Sequence, residues 1–588
     1  MIRPEHSERK RMMEPISQQI RKQVFKNLIA SGTNCLHNLR SMDRNAQDVN
    51  DNLLRDILRK NSLTEYGKRY GFSQIRSYEE YARTVPLTDY ADYEDDIRRM
   101  SDGGEKNILM AASPDYYIIT SGTKGAPKRI PSSREQSKII RTYTNLYRFG
   151  LIYESLGDIW SDGATLCPIE VRVHASEGGT PMAYFSSRML ADLGDLIHFA
   201  SLSPKEVIWS DPGQDNLYLH LRFGLACEKV SEMNAAYVTV LLELMRYLEA
   251  NWQELVQDIR EGTINEKVSI SFQKREKLIA SIEPDPERAD ALEKEFKKGF
   301  EDPILPRIWK KLSLVSAACG ASFAPYLKQL QRYTGNDLPV YYHGYTASEA
   351  VLGIPVRLNS SWFMLLPDSC FYEFQEFDEK SGMGLEHETG APLLKMSQLE
   401  KGRTYLVIIT NRCGLYRYRM HDVVRVVDYH GEIPVIEFLY REDAMLSIGG
   451  EHITEDELTE AVFKAAREAQ LQLTGFSVYT DSEAKPFGRY VILIEPSGEA
   501  ALPDPDSLAR RIMSILKEEN VTVQLTARLG AEFVPVVCWL KQGTYEEYRM
   551  WQGNRNLGGN QVKPPQILRR PEQIQFFLDK VQEDRRNL

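Results

Sequence analysis

Residues Tyr116–Pro131 read YYIITSGTKGAPKRIP. An apolar, β-prone run enters a segment dense in Ser, Thr and Gly, which also carries Lys124 and Lys128. Hydroxyls, backbone N–H groups and lysines suit an anion, and glycine lets the backbone come close to one. A strand-to-loop turn with no ligand has a similar spelling. On these residues alone, phosphate binding and a plain turn stand level. The pattern GxxxxGK[ST] is absent from the chain, which excludes an ordinary Walker loop.

The whole chain narrows the choice. Its 588 residues exceed what one hydrophobic core serves, so at least two domains are expected. Hydrophobic residues at 42% and charged residues at 27% place it among ordinary globular proteins. A net charge of −10 leaves no basic excess to neutralise phosphates, which argues against nucleic acid as the main partner. The seven cysteines (Cys35, Cys167, Cys227, Cys319, Cys370, Cys413 and Cys538) are scattered and never form CxxC. That pattern argues against a disulfide framework or a structural zinc site and predicts reduced thiols in a cytoplasmic protein. The N-terminal MIRPEHSERKRMMEPISQQIRKQ has no apolar core of signal-peptide length. The most apolar long segment, NAAYVTVLLELMRYLEANW (Asn234–Trp252), contains Glu243 and Arg246 and reads as a buried helix, not a membrane span.

Punctuation along the chain sets its organisation. Ser77 with Glu80 spells a capping box, and Pro86 marks the exit of that helix. Residues 231–300 read as helical and heavily charged. From about 312 to 427, short apolar runs alternate with turns and helices, and TYLVIIT (Thr404–Thr410) is a buried-strand candidate. A seam falls near 441. Beyond it, Thr454 and Glu457 spell a second capping box before an apolar face of Leu458, Ala461, Val462, Ala465 and Ala469. RYVILIEP, DSLARRIMSILKEEN (Leu508, Ile512, Ile515 and Leu516 on one side) and FVPVVCWL then alternate strand, helix, strand. The expected architecture is α/β throughout: a large domain over 1–440 and a small α/β domain over 441–588.

Three further segments can carry chemistry. YYHGYTASEAVLG (Tyr341–Gly353) offers Tyr345, Thr346, Ser348 and Glu349 within five residues. A base stacks on an aromatic ring, a hydroxyl reaches a phosphate, and a carboxylate holds Mg²⁺; a loop beside a helix start has the same composition. NRCGLYRYRMHDVVRV (Asn411–Val426) places Asp422 between a cationic aromatic run and an apolar strand. A carboxylate there suits a ribose diol, or it pairs with Arg417 or Arg419. GGNQVKPPQILRRP (Gly558–Pro571) sets Lys563 in an ordered loop, either as a solvated charge or for delivery into a site by domain closure. EHETG around His387 has no second motif to make it a metal site and reads as a solvated turn.

Taken together and in this order, the motifs resemble those of the acyl-adenylate-forming enzymes, whose phosphate loop reads [ST]SG[ST][ST]GxPK. TEYGKRYGF, VPLTDYADYEDDI, TSGTKGAPK, YTASEAVLG, PDSCFYEF, GRTYLVIITNRCGLYRYRMHDVVRV, LSIGGEHITEDEL and NQVKPPQ resemble, block by block, the auxin-responsive acyl-acid amido synthetases, the Gretchen Hagen family. The likeness runs from about 60 to 580 and points to a non-plant branch. It implies a two-step reaction. A carboxylic acid and ATP·Mg²⁺ give an acyl-adenylate and pyrophosphate, and an amine, commonly an amino acid, then displaces AMP. It also implies residue roles. Ser121, Gly122 and Thr123 line the ATP phosphates, as does Lys128 in the same loop. Tyr345 lies against adenine, with Thr346 beside it. Ser348 reaches the α-phosphate and Glu349 holds Mg²⁺. Asp422 binds the ribose and Lys563 neutralises charge during adenylation. Arg441 marks the hinge beside Asp443, and the small domain is expected to be mobile and to close over the active site.

Two positions depart from the family pattern. Lys124 stands where a hydroxyl is usual, and His452 where plant members often carry lysine. The ligands implied are ATP, Mg²⁺, a small carboxylic acid and an amine, with no nucleic acid and no membrane. The competing readings are an adenylating ligase that hands its acyl group to coenzyme A and a catalytically silent nucleotide-binding protein.

Overall fold

The computed structural model describes residues 5–120, 128–161, 163–191, 201–211, 214–320, 323–378, 383–384, 393–442, 446–448, 451, 453–481, 483–484, 488–498, 501–528, 534–555 and 565–582. Four sheets organise them. Strands Ala164–Leu166, Val230–Tyr237, Leu314–Ala318 and Val340–Tyr342 lie side by side in chain order, every pair parallel. Parallel strands are buried on both faces and so read as continuous apolar runs, and Leu314–Ser316, for example, is buried throughout. The buried helix expected over 234–252 is corrected at its start. Residues 234–237 finish the second strand of this sheet, and the helix runs Val238–Glu261. Pairing on both sides by parallel neighbours wins over local helical pattern there.

A second sheet orders Arg129–Ser132, Tyr116–Ile119, Pro181–Tyr184 and His174–Ala175. A third has eight strands, all pairs antiparallel: Met383–Gly384, Phe371–Asp378, Thr404–Thr410, Tyr418–His430, Ile433–Arg441, Trp362–Leu365, Val351–Pro355 and Tyr345–Thr346. TYLVIIT is its fully buried third strand, as its composition predicts. One hydrophobic core joins this sheet to the N-terminal helices; another joins the parallel sheet to its helices and to the C-terminal part.

Past Arg441 the helices and strands read from sequence are present, and one further strand, Leu473–Asp481, stands between the first helix and RYVILIEP, so strand and helix do not strictly alternate. Helix Glu455–Glu468 opens on a complete capping box between Thr454 and Glu457. It buries Leu458, Ala461, Val462 and Ala465, while Ala469 falls past the helix end and is exposed. Strands Leu473–Asp481, Arg489–Pro496 and Val536–Trp539 form the fourth sheet, and helix Pro505–Glu519 buries Leu508, Ile512, Ile515 and Leu516. Near the N-terminus, Ser77 caps helix Tyr78–Thr84, but Glu80 reaches back to the Arg76 N–H at 2.6 Å in place of that of Ser77.

The C-terminal part meets the rest through that shared apolar core, and polar contacts run along its rim. The Arg246 guanidinium donates to the Leu473 and Thr474 carbonyls at 2.7 and 3.3 Å, and Arg549 pairs with Glu243. The Tyr326 and Phe463 rings meet edge to face at 5.0 Å. All seven cysteines are free thiols. Among the described residues no helix is long and apolar enough to cross a membrane.

Candidate active site

The parallel sheet aims its carboxyl ends at one region, where open α/β sheets place their ligands. Beyond Val340–Tyr342 the chain folds into a hairpin in which Tyr345–Thr346 pairs with Val351–Pro355. The Ala347 N–H donates to the Ala350 carbonyl at 2.9 Å, so Ser348 and Glu349 sit at the tip, both half-buried. A second hairpin joins Tyr116–Ile119 to Arg129–Ser132, closed by the Thr120 N–H donating to the Lys128 carbonyl at 3.0 Å. The loop between its strands carries Ser121, Gly122, Thr123 and Lys124. These lie outside the described residues, as do His387, Asp443, His452 and Lys563.

The two hairpins meet at Tyr418. Lys128 Nζ lies 3.5 Å from the Tyr418 hydroxyl, which in turn donates to Glu349 Oε1 at 3.3 Å. Tyr418 is buried, and both burial and the Glu349 charge push its phenol up, so it stays protonated and a donor. Lys128 Nζ also sits 5.3 Å from the centre of the Tyr90 ring, a cation–π distance, and the Tyr90 hydroxyl accepts the Arg129 N–H at 2.9 Å. Three segments far apart in the chain thus place a cation and a carboxylate around one phenol. Tyr418 and Tyr90 belong to quoted motifs, but nothing in their spelling singled them out as the bridge.

Asn411 holds Glu349 from behind. Its Nδ2 donates to the Glu349 carbonyl at 2.9 Å, while its Oδ1 accepts from the Cys413 and Leu415 N–H groups at 2.9 and 3.1 Å. The turn it closes needs Gly414, whose φ is +99° and whose added Cβ would stand 2.5 Å from Leu109 Cβ. Asn411 is fully buried. Asn411→Ala is therefore expected to cost roughly 1–3 kcal/mol, the penalty for buried N–H groups left without acceptors. It should also lower acid-dependent pyrophosphate release by displacing Glu349. Denaturation midpoints and that assay check both.

Asp422 is delivered by a bulge. On the neighbouring strand Leu406 pairs with Val423 and Ile408 with Arg419, so Tyr418–His430 carries extra residues between Arg419 and Val423. Bulges re-aim side chains beside active sites. His421, inside this one, adopts a φ of +57°. Asp422 accepts the Tyr345 hydroxyl at 2.5 Å, and its other oxygen lies 3.3 Å from Arg441 Nε on the facing strand. Pairing of Asp422 with Arg417 or Arg419, one of the two sequence readings, is corrected: Arg417 binds Glu373 and Arg419 binds Asp89. The structure spends the Tyr345 hydroxyl on Asp422 and packs its ring near Phe363 and Phe438, with centroids 6.4 and 5.7 Å away. Among the described residues no cluster of three or more His, Cys, Asp or Glu side chains is arranged to hold a metal ion. A single half-buried carboxylate such as Glu349 suits Mg²⁺ arriving on phosphates, since that ion commonly takes one or two carboxylates plus phosphate and water.

Comparison with known proteins converges on one family. The GH3 family N-terminal domain model matches residues 35–340, the central domain model 363–441 and the C-terminal domain model 456–572. Indole-3-acetic acid-amido synthetase GH3.4 of Arabidopsis thaliana is 26% identical over 557 residues, covering 90% of each chain. Jasmonoyl--L-amino acid synthetase GH3.5 of Oryza sativa subsp. japonica is 29% identical over 498 residues, covering 80% of this chain and 84% of its own. The fold is that of a solved GH3.15 acyl acid amido synthetase, with a TM-score of 0.80 at 24% identity, covering 93% of this chain and 96% of that one.

Proposed function

The chain belongs to the GH3 family, and from that premise we propose that it is an ATP-dependent acyl acid amido synthetase. The carboxylate oxygen of a small organic acid attacks the α-phosphorus of ATP. The bond to the β-phosphate breaks and pyrophosphate leaves. An amine nitrogen, that of an amino acid, then attacks the acyl carbon and sheds its proton as the bond to AMP breaks. The observation that carries this reading is the convergence of Lys128, Tyr418 and Glu349 beside the Asp422 bulge. The matched relatives are named for indole-3-acetic acid and for jasmonoyl–amino acid products, which supports a small acid and an amino acid here.

In this reading Ser121, Gly122 and Thr123 line the phosphates with Lys128, and Ser348 reaches the α-phosphate. Glu349 takes the Mg²⁺, which offsets repulsion between two anions and stabilises the charge that develops on the phosphate. Asp422 holds the ribose, and Tyr345 and Thr346 flank the base. The part beyond Arg441 closes over the site, brings Lys563 to the phosphates and excludes the water that would hydrolyse the mixed anhydride.

A screen of pyrophosphate release across carboxylic acids, followed by mass spectrometry with a mixed amino-acid pool, tests the proposal. Acid-dependent release with a new amide mass is the expected result. A thioester with coenzyme A and no amide would reassign the acceptor, and no acid-dependent release would overturn the enzyme reading.

A further inference from the structure

His421 stands one residue before Asp422 in a backbone region that a side chain disfavours, with φ at +57°. Its imidazole spans two carboxylates. Nε2 lies 2.6 Å from Asp89 Oδ1, and Nδ1 lies 3.2 Å from Glu442 Oε2. Ionised carboxylates only accept, so both ring nitrogens must donate, and only the imidazolium does that. Asp89 comes from a segment laid beside this strand: the Thr88 N–H donates to the Arg417 carbonyl at 3.0 Å and the Arg419 N–H to the Thr88 carbonyl at 2.9 Å. Glu442 directly follows Arg441, the ion-pair partner of Asp422. One ring therefore ties together the 88–89 segment, the bulge and the first residue past Arg441.

The charged groups around the ring among the described residues are Asp89, Glu442, Arg419, Asp422 and Arg441. Asp89 also pairs with Arg419 at 3.3 Å, and its backbone N–H is taken by Asp92. Asp422 is held by Arg441 and Tyr345, and the protonated Tyr418 phenol faces Glu349. Glu442 has no other ion pair among the described residues. Loss of the His421 proton removes the cation from between Asp89 and Glu442 and releases one of the two hydrogen bonds.

We propose that His421, as the imidazolium, is a positioning residue for the nucleotide: it holds the bulge that presents Asp422 and anchors Glu442 beside it, so that nucleotide binding weakens as the ring loses its proton. This rests on the ribose role proposed for Asp422. His421 touches no reacting atom and acts through its neighbours.

The test is calorimetric titration of the full chain with ATP and Mg²⁺ between about pH 6 and about pH 9, a range carried above that of an ordinary imidazole because neighbouring carboxylates favour the charged ring. Wild type, His421→Asn, His421→Gly and Asp422→Ala are compared at each pH, so the titration of ATP itself cancels. Asn and Gly both tolerate positive φ, so neither variant is expected to misfold. Wild-type affinity should fall by about 10-fold across the range, and both His421 variants should bind about 10-fold more weakly at the acid end with no such trend. A merely structural role would lower the denaturation midpoint and leave the pH trend in place, which overturns the proposal. Wild-type affinity and trend in the His421 variants, with binding lost in Asp422→Ala, overturn the His421 role alone. Wild-type binding by Asp422→Ala overturns the ribose reading and the proposal with it.

Discussion

Glu349→Gln is expected to lower acid-dependent pyrophosphate release by about 10²–10³-fold, the loss typical of removing one preorganised electrostatic contact to a transition state. Glutamine matches the shape of glutamate and still accepts the Tyr418 hydroxyl, now 3.3 Å from Glu349 Oε1. The Asn411 bond to the residue 349 carbonyl is a backbone contact and survives too. What disappears is one negative charge at the tip of the Tyr345–Pro355 hairpin, the charge that would hold Mg²⁺ between protein and phosphates. The variant should therefore keep its denaturation midpoint, bind Mg²⁺·ATP more weakly and recover part of its activity at high Mg²⁺. Full activity at limiting Mg²⁺ would remove Glu349 from the chemistry. An unfolded variant would show instead that the hairpin tip depends on the charge.

Glu373→Ala is expected to be the most damaging change to stability, roughly 3–5 kcal/mol, because it strands a buried guanidinium. Glu373 is fully buried and Arg417 nearly so. Arg417 Nε meets both Glu373 oxygens at 3.1 Å, and Nη1 donates to the Ala82 and Val85 carbonyls at 2.7 and 2.8 Å. The Tyr78 hydroxyl completes the cluster at 3.0 Å from Glu373 Oε1. The pair thus staples the end of helix Tyr78–Thr84 to the eight-stranded sheet and fixes Arg417 at a φ of +49° just ahead of Tyr418. Chemical denaturation reads the loss. Arg417→Met combined with Glu373→Leu should recover much of it, since a matched apolar pair avoids desolvating two charges. A loss below about 1 kcal/mol in Glu373→Ala would mean that water reaches the guanidinium.

The same cluster shows where sequence reading stops. Arg417 and Arg419 flank Tyr418 in RYR, five and three positions before Asp422, and local spacing offered it either arginine. Which carboxylate each one meets is set by strands that arrive from elsewhere: Glu373 from a neighbour two strands away, Asp89 from a segment about 330 residues earlier. The strand Val230–Tyr237 is a second case. Its own residues read as the start of the following helix, and only the parallel partners on both sides make it a strand.

The sequence by itself determined the α/β class, the capping box at Thr454 and the buried strand Thr404–Thr410, because each of these is written in short-range spacing, and it carried the family through motif blocks that resemble those of its members in the same order. The tertiary structure alone decided that Lys128 and Glu349 share the Tyr418 hydroxyl, that Arg441 and not Arg417 or Arg419 faces Asp422, and that His421 links Asp89 to Glu442. Those contacts depend on strand register and on one bulge. A shift of one residue in either would turn every side chain on the strand to the other face without changing a letter of the chain.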